Sequence, residues 1–417
     1  MESTITTIVI RFIPRFGMIV RNPVLVIFFL SGIFYLNHST TIVGARAPSN
    51  NGGIVDSSVV LCMPGVYTNP PGDCAPLGPS GYLSEMAALG ITFPLRPISA
   101  TPISPELTNL DVLYGEVVNP NAPIYGSIDD AVNSRKKNAV QRLNGDFVFI
   151  SYTQRNEDFG KKIYEVGPNL WMTGNDISRI GVLPPSRGVT FSRTPSNDFG
   201  WVLTYWASDE IQSKRTPGNQ IADYTGHVLN LFDIVQIYDE TEIDGELWYI
   251  IGPDEWAPAK YISRITVNTR PPKNLEGDRW IEINLQEQTL AVYDDYELVY
   301  ATIIASGFDP FWTRPGLFQI FEKLETTPMR GAFEADLSDA YYLEDVPWTM
   351  YYDEARALHG AYWRAKMGFE QSHGCVNLTV GDAHWLFDWA EVGDWVYVWD
   401  PSGETPTDPS LYGPGGY

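Results

Sequence analysis

Apolar and polar residues alternate along the C-terminal third of the chain, and this pattern predicts β-strands. In WIEINLQEQTLAVYDDYELVYATIIAS, the side chains of Ile281, Ile283 and Leu285 point to one face, and the polar residues between them point to the other. Asp294 and Asp295 then interrupt the apolar residues, which is typical of a hairpin turn. The stretch therefore predicts a β-hairpin.

The pattern changes again before the chain ends. LFQIFEKL predicts a further strand, TVGDAHWLFDWAEVG predicts a short helix that ends before Gly393, and DWVYVWD predicts a closing strand. We interpret residues 279–401 as one β-rich domain with a short helix. The Gly- and Pro-rich residues 402–417 are predicted to be a disordered tail.

The middle of the chain contains an internal repeat. GPNLWMTGNDISRI (residues 167–180) aligns without gaps with GPDEWAPAKYISRI (residues 252–265), with seven identical positions and a period of 85 residues (252 minus 167). Strand-like stretches precede each copy, so the repeat predicts two small all-β units, at residues 111–185 and 186–265. Residues 48–110 are predicted to be an irregular Pro/Gly-rich segment, and residues 266–278 a linker.

The second copy resembles a bacterial SH3-like domain, in which a W-Y-x-I strand, a turn and a second Trp close a compact barrel. Trp248, Tyr249 and Trp256 fit that pattern. The resemblance implies a mainly β chain in which two small SH3-like β-barrel repeats precede the C-terminal domain, with a surface that grips cell-wall polymer. As an alternative, Trp171 and Trp256 are ordinary core residues of the two units.

Charge and the N-terminal sequence restrict the partners and the location of the protein. The chain has a formal net charge of -23, which argues against nucleic acid as a partner, because phosphates need clustered Lys and Arg. Arg21, an apolar core over residues 24–36 and an Ala-Arg-Ala ending predict a secretory signal peptide in residues 1–47. An uncleaved membrane anchor is the alternative, although the core is shorter than the ~20 apolar residues of a comfortable span. Both interpretations place the rest of the chain outside the cytoplasm.

Export changes the interpretation of the three cysteines. Cys62 and Cys74 lie close together in CMPGVYTNPPGDC and are predicted to close a small disulfide loop in an oxidising compartment. Cys375 is then left unpaired, with His373 two residues before it and His359 sixteen residues before it. An unpaired thiol in an exported protein is a liability unless it is buried or used.

A histidine near a cysteine indicates nucleophilic chemistry. A Cys nucleophile works as the thiolate, so an imidazole or oriented backbone N–H groups must lower its pKa from ~8.5. Gly374 has no Cβ, so the backbone can turn sharply and direct N–H groups at a developing oxyanion. One alternative is an inert buried Cys375. Another is zinc, although the chain has no C-x-x-C or H-E-x-x-H pair. The candidate ligands are His359, His373, Cys375, Asp382 and His384.

HGAYWRAKMGFEQSHGCVNL strongly resembles the signature of the L,D-transpeptidase catalytic domain, the YkuD family: a histidine, a spacer, then Ser/Thr-His-Gly-Cys-hydrophobic-Asn/Arg. TRPGLFQIFEK resembles the family's Thr-Pro-x-Gly-x-Phe strand in a slightly compressed form. The resemblance implies that Cys375 is the acyl-accepting nucleophile, that His359 is its base and that the Gly360 carbonyl steadies the imidazole. It further implies an oxyanion hole formed by the backbone N–H groups of Gly374 and Cys375. Ser372 and His373 would shape the site, and Asn377 would brace the loop or the substrate. Tyr352 and Trp363 are candidate substrate-facing aromatic residues, with a place in the core or at the rim as the alternative.

The implied substrate is the stem peptide of peptidoglycan, and the implied reaction needs no metal and no nucleotide cofactor. Cys375 would attack a carbonyl at an L-centre, release the terminal D-alanine, and pass the acyl group to an amine of a neighbouring stem. Hydrolysis on the same scaffold, by an L,D-carboxypeptidase, is one alternative, and a catalytically inactive wall-binding protein is another. The acidic insertion between Glu325 and Tyr352 is interpreted as a lid that favours a cationic acceptor amine.

Overall fold

The computed structural model describes residues 60–69, 72–76, 78–145, 147–158, 160–219, 222–332 and 340–413. Over these residues the protein is mainly β, as predicted. The predicted signal peptide or anchor, residues 1–47, lies outside the described residues. No helix among the described residues is both long and apolar enough to cross a membrane.

Residues 60–110 contain more regular structure than the predicted irregular segment. Cys62 and Cys74 form the predicted disulfide, with their Cα atoms 4.9 Å apart. Helix α1 (Pro79–Ala88) follows, and its buried Met86 packs against Ile250 of the second repeat unit. Strand β1 (Ala100–Pro102) and a 3-10 turn (Pro105–Thr108) complete this region.

The first repeat unit forms a five-stranded sheet, in the order β4-β3-β8-β7-β6, beside the neighbouring strands β5-β2-β9. Its cores consist of apolar residues such as Ile150, Tyr164 and Met172. The elements are β2 (Leu113–Val117), β3 (Ala122–Tyr125), α2 (Ile128–Val132), a 3-10 turn (Lys136–Asn138), β4 (Ala139–Leu143), β5 (Phe147–Tyr152), β6 (Gln154–Asp158), β7 (Lys161–Gly167), β8 (Leu170–Thr173) and β9 (Ile177–Arg179).

The second repeat unit has the same strand connectivity as the first. Its sheets have the orders β13-β12-β17-β16-β15 and β14-β11-β18, which correspond strand for strand to the sheets of the first unit. The elements from residue 189 onward are β10 (Val189–Phe191), β11 (Asp198–Val202), β12 (Gln212–Lys214), β13 (Tyr224–Val228), β14 (Ile234–Ile237), β15 (Asp239–Ile243), β16 (Glu246–Gly252), β17 (Glu255–Pro258), a 3-10 turn (Ala259–Tyr261) and β18 (Ile262–Ile265).

Two glycines mark equivalent positions in the units, 85 residues apart. Gly115 in β2 pairs with Arg179, and Gly200 in β11 pairs with Arg264. A Cβ on Gly115 would lie 2.4 Å from the Ile177 side chain, and one on Gly200 would lie 2.5 Å from a backbone oxygen of the facing strand. Both positions therefore require glycine, because the strands approach too closely for a side chain.

The C-terminal domain contains two sheets and one helix. One sheet has the order β1-β10-β21-β20-β19-β27-β22, and the other has the order β26-β25-β24-β5-β2-β9, with β23 paired to β24. Its elements are β19 (Trp280–Asn284), β20 (Thr289–Asp294), β21 (Glu297–Ile303), β22 (Gly316–Gln319), β23 (Glu322–Gly331), β24 (Tyr341–Asp353), β25 (Arg356–Gly360), β26 (Val376–Leu378), α3 (Val380–Trp389) and β27 (Trp395–Trp399). The predicted hairpin and helix are confirmed.

The predicted boundaries differ from the structure at two places. Strand β10 lies within the predicted second repeat, yet it pairs with β21 of the C-terminal domain, and its Phe191 packs in the same apolar core as Trp280. Residues 402–413, predicted to be part of a disordered tail, instead make contacts with the C-terminal domain. There Tyr412 packs beside Arg356, whose Nη2 donates to the Gly413 carbonyl at 2.9 Å. A 3-10 turn (Pro409–Leu411) precedes Tyr412.

The strand β19 has no solvent-facing side, although its sequence alternates. Ile281 and Ile283 are fully buried on one face, as predicted, but Glu282 and Asn284 on the other face are also buried. Residues 265 and 266, at the end of the second repeat unit, cover that face and enclose a small cavity with Glu282. Burial raises the pKa of Glu282 to about 7.

Candidate active site

The strands β25 and β26 bring His359 and Cys375 to one side of a sheet. They run parallel, with His359 opposite Asn377. Side chains alternate along a strand, so Cys375, two residues before Asn377, faces the same side as His359. All three line one cavity of about 90 Å³. That volume is below the roughly 300–1,000 Å³ of pockets for drug-sized ligands, so it suits the reacting end of a larger molecule.

A sharp turn at Gly374 sets the backbone of the nucleophile. Gly374 has a φ of 110°, in the left-handed region, and its carbonyl accepts a hydrogen bond from Thr313 Oγ1 at 2.9 Å. Ser372 Oγ accepts from the Gly374 N–H at 3.2 Å and donates to the Cys375 carbonyl at 2.5 Å. The Gly374 N–H is thus occupied, so its predicted role as an oxyanion donor is not met in this state. Among the described residues, the Cys375 N–H has no partner and is the available donor.

His359 is buried and uncharged at neutral pH. Burial lowers the pKa of His359 to about 4; the Gly360 backbone opposes this shift and the charge of Arg364 adds to it. Nδ1 makes no hydrogen bond of good geometry among the described residues. The role predicted for the Gly360 carbonyl, to steady the imidazole, therefore stays a prediction. The Trp363 ring lies 5.6 Å from the His359 ring, centroid to centroid.

Cys375 is a neutral thiol in the same state. Burial raises the pKa of Cys375, and the Ala357 backbone and the charge of Arg356 oppose that shift. The thiol donates a long hydrogen bond to the Ala355 carbonyl, with Sγ and O 3.8 Å apart. A neutral thiol and a neutral imidazole on one face can react as a pair when the proton moves from Sγ to the ring.

The charged residues lining the cavity are all basic among the described residues: Arg330, Arg356 and Arg364, with no Asp or Glu. Asp353 lies behind the cavity and binds both Arg314 and Arg356. One carboxylate therefore neutralises only one of these two guanidinium groups. The described lining of the cavity is therefore positively charged, in contrast to the acidic chain as a whole.

The predicted lid is in part a β-hairpin formed by β23 and β24. Met329, Tyr341 and Tyr351 of this hairpin line the cavity, so the insertion does cover the site. Its carboxylates Glu344 and Asp345, however, accept hydrogen bonds from Ser151 of the first repeat unit and do not line the cavity. Among the described residues, the insertion therefore brings no negative charge to a cationic acceptor.

Four of the remaining predicted site residues line the cavity: Ser372, His373, Asn377 and Trp363. The His373 ring stacks on the Tyr341 ring, with the ring centroids 5.6 Å apart.

Tyr352 does not reach the cavity, so its predicted substrate-facing role is wrong. Side chains alternate along β24, and Tyr351 occupies the cavity face. Tyr352 consequently points into the core, where its ring packs against Phe318 with centroids 5.6 Å apart.

The arginines of the cavity were not predicted, because no position of the motif specifies them. The described residues contain no cluster of three or more His, Cys, Asp or Glu side chains placed to hold a metal ion. His384, one of the candidate metal ligands, stacks on Trp348 instead, with ring centroids 3.8 Å apart.

Comparison with known proteins identifies the C-terminal domain. Residues 278–398 match the model of the YkuD family, described as the L,D-transpeptidase catalytic domain. The chain is 26% identical over 123 residues to "Putative L,D-transpeptidase YciB" of Bacillus subtilis (strain 168), covering 26% of this chain and 59% of that protein. The predicted resemblance to the YkuD family is confirmed for this segment.

Solved structures of L,D-transpeptidases are also similar. One is the NMR structure of the catalytic domain from Enterococcus faecium L,D-transpeptidase acylated by ertapenem, with 27% identity and a TM-score of 0.27, covering 30% of this chain and 100% of that chain. Another is an L,D-transpeptidase from Mycobacterium smegmatis, with 20% identity and a TM-score of 0.28, covering 40% of this chain and 90% of that chain.

Proposed function

We propose that the protein is a peptidoglycan L,D-transpeptidase that works through a thioester on Cys375. The observation that carries the proposal is the placement of His359 and Cys375 on one face of parallel strands, in one cavity covered by a hairpin. The YkuD family match of residues 278–398 supports the same reaction class.

The reaction proceeds in two steps. His359 takes the proton from Sγ as the thiolate attacks the carbonyl at the L-centre of the donor stem, and the Cys375 N–H stabilises the oxyanion. The S–C bond forms, the C–N bond to the terminal D-alanine breaks, and His359 returns the proton to the leaving amine. An amine of a second stem then attacks the thioester, which forms a new amide and restores the thiol.

The proposed substrate sets the proposed location. Peptidoglycan lies outside the cytoplasm, and the N-terminal sequence predicts export. Protease added to intact cells should therefore degrade the catalytic domain. A domain that is protected until the membrane is broken would contradict an extracytoplasmic location.

We further propose that the SH3-like repeats help to hold cell-wall polymer. Trp206 of the second unit is 72% exposed and contacts Phe369 and Lys366, which lie between His359 and Cys375 in the sequence. An exposed Trp that contacts the segment between His359 and Cys375 supports this proposal, because Trp side chains are enriched at interfaces. Cosedimentation of the Cys375→Ala protein with purified sacculi should weaken when Trp206→Ala is added. Equal binding by both would contradict this role.

The experiment for the catalytic proposal is intact-mass spectrometry of the full chain. The protein is incubated with ertapenem and, separately, with a stem tetrapeptide. One covalent adduct per chain should form and be absent from Cys375→Ala, and chromatography should detect free D-alanine and a cross-linked dimer. No adduct on the folded protein, or an adduct that persists in Cys375→Ala, would refute the proposal. Tripeptide without dimer would assign hydrolysis instead.

A further inference from the structure

We propose that Arg364 recognises the α-carboxylate of the leaving C-terminal residue, and that it thereby restricts the enzyme to donors with a free C-terminus. This inference rests on the proposed function, because it assigns a part of the donor to a part of the same cavity.

The first observation is the charge of the cavity compared with that of the chain. The formal net charge of the chain is -23, yet the described residues lining the cavity include three arginines and no carboxylate. A cleft lined by one sign of charge raises the local concentration of the opposite charge. The site therefore favours an anionic group of the substrate over a cationic one.

Among the described residues, Arg364 is the partly buried arginine of the cavity that has no counter-ion. It makes no ion pair with the described residues, whereas Asp353 pairs with Arg356 at 3.3 Å. Burial lowers the pKa of Arg364 to about 10, with no carboxylate opposing the shift. A buried charge without a partner is costly, and this cost is removed when an anion binds beside it.

The orientation of Arg364 is fixed without using all of its donors. Nη1 donates to the Gln371 side chain at 3.0 Å, and Nη2 donates to the Gln371 carbonyl. Nε is buried and has no partner among the described residues. The guanidinium group is thus held in place, while one donor remains to be satisfied by a ligand.

The chemistry places the carboxylate next to Arg364. His359 must reach the nitrogen of the leaving residue to protonate it, and the α-carboxylate is attached to the same Cα as that nitrogen. Arg364 lies close enough to His359 for its charge to lower the pKa of the imidazole. The carboxylate of a residue whose nitrogen meets His359 therefore falls in the part of the cavity that Arg364 controls.

The other two arginines fit this role less well. Arg356 spends its Nη groups on Asp353 and on the Gly413 carbonyl, and its Nε lies beside Gly374, on the oxyanion side of the site. Arg330 is exposed at the rim. Nε of Arg356 also has no partner among the described residues, but the charge of Arg356 is paired with Asp353. Of the three arginines in the lining, Arg364 alone is at least partly buried and has no carboxylate partner among the described residues.

The test compares two donors that differ in one group: a stem tetrapeptide ending in D-alanine and the same peptide ending in D-alaninamide. Release of the terminal residue is measured as kcat/KM for the full chain. The wild type should prefer the carboxylate donor by about 10–100-fold, because a hydrogen bond to a charged group is lost in the amide. Arg364→Gln should slow the carboxylate donor only, which brings the ratio close to one, and Arg364→Lys should restore part of the preference.

Controls separate recognition from folding. Alkylation of Cys375 by the uncharged reagent iodoacetamide reports an intact thiol site in each variant. Arg187→Gln removes another partly buried arginine, which lies on the Phe232 ring and does not line the cavity. The donor ratio should stay at the wild-type value in this variant.

Equal wild-type rates on both donors would overturn the inference and leave the proposed function standing, and this comparison needs no variant to fold. An equal loss on both donors in Arg364→Gln would also overturn it. If neither donor acylated Cys375 in the wild type, the proposed function itself would fail, and the inference with it.

Discussion

Replacement of Gly374 by alanine tests whether the turn before the nucleophile is part of the catalytic machinery. The φ of 110° at Gly374 is a conformation that L-residues rarely adopt, and forcing alanine into it costs about 1–3 kcal/mol. Steric exclusion adds little, because the new Cβ would lie 3.3 Å from Arg356 Nε and 3.5 Å from the Trp312 carbonyl oxygen. The strain is therefore relieved most easily by rotation of the turn itself.

That rotation would misdirect the Cys375 N–H and Sγ. Loss of one oxyanion donor costs about 10²–10³-fold in rate, and small misplacements of reacting groups cost about 10²-fold. We therefore expect the rate of Cys375 acylation by the tetrapeptide to fall about 10²-fold, together with a melting temperature a few degrees lower. Stopped samples analysed by intact-mass spectrometry give the rate, and differential scanning calorimetry gives the temperature.

The matched control is Gly393→Ala. Gly393 has a similar φ of 104°, no atom within 4 Å of the position of a Cβ, and no place in the lining of the cavity. Both variants should lose similar stability, but only Gly374→Ala should lose its acylation rate. Equal acylation rates in the two variants would refute the argument that this turn positions the nucleophile.

Three further predictions concern stability. Burial lowers the pKa of His359 from 6.5 to about 4. Between pH 6.5 and pH 4 the unfolded chain therefore binds a proton at His359 that the folded protein does not bind. The free energy of unfolding should fall by up to about 3 kcal/mol as the pH falls from 6.5 to 4. Thermal melts should show a smaller fall for His359→Gln, and parallel curves would contradict this. Asp382 is buried and accepts hydrogen bonds from the backbone of Arg187 and Gly188 and from three hydroxyl groups. Asp382→Ala should therefore lower the free energy of unfolding, measured in urea, by at least about 3 kcal/mol. A decrease below about 1 kcal/mol would contradict the importance of this buried network. Gly200→Ala should destabilise the protein by at least about 2 kcal/mol, because a Cβ would lie 2.5 Å from a backbone oxygen. An unchanged free energy of unfolding in urea would show that the strands can move apart.

The internal repeat was visible in the sequence because its most similar segment lies in strands with the same contacts in both units. The ISRI segment forms β9 in one unit and β18 in the other, and each packs on a strand whose glycine has no room for a side chain. The boundary was harder to predict, since β10 lies between the units in sequence but pairs with β21. Local composition carries no information about such long-range pairing.

The candidate site was predictable where a motif defines it and unpredictable where packing defines it. The spacing of His359 and Cys375 identified both residues, because the family signature fixes them. Nothing in the sequence distinguished Tyr351 from Tyr352, since either could face the cavity until the register of β24 is known. Arg364 was missed for a related reason: only the fold shows that the described lining of the cavity places no carboxylate beside it.

The strand pairing shows why the segment that matches the YkuD family is not a separate physical unit in this protein. Strand β24 pairs with β5 of the first repeat unit at Tyr341 and then with β25 at Met350. The cavity wall at Tyr351 and the strand that carries His359 are therefore held in one sheet with β5, β2 and β9. Because sheet hydrogen bonds link these strands directly, the first repeat unit contributes to the stability of the site, whether or not it also binds the wall.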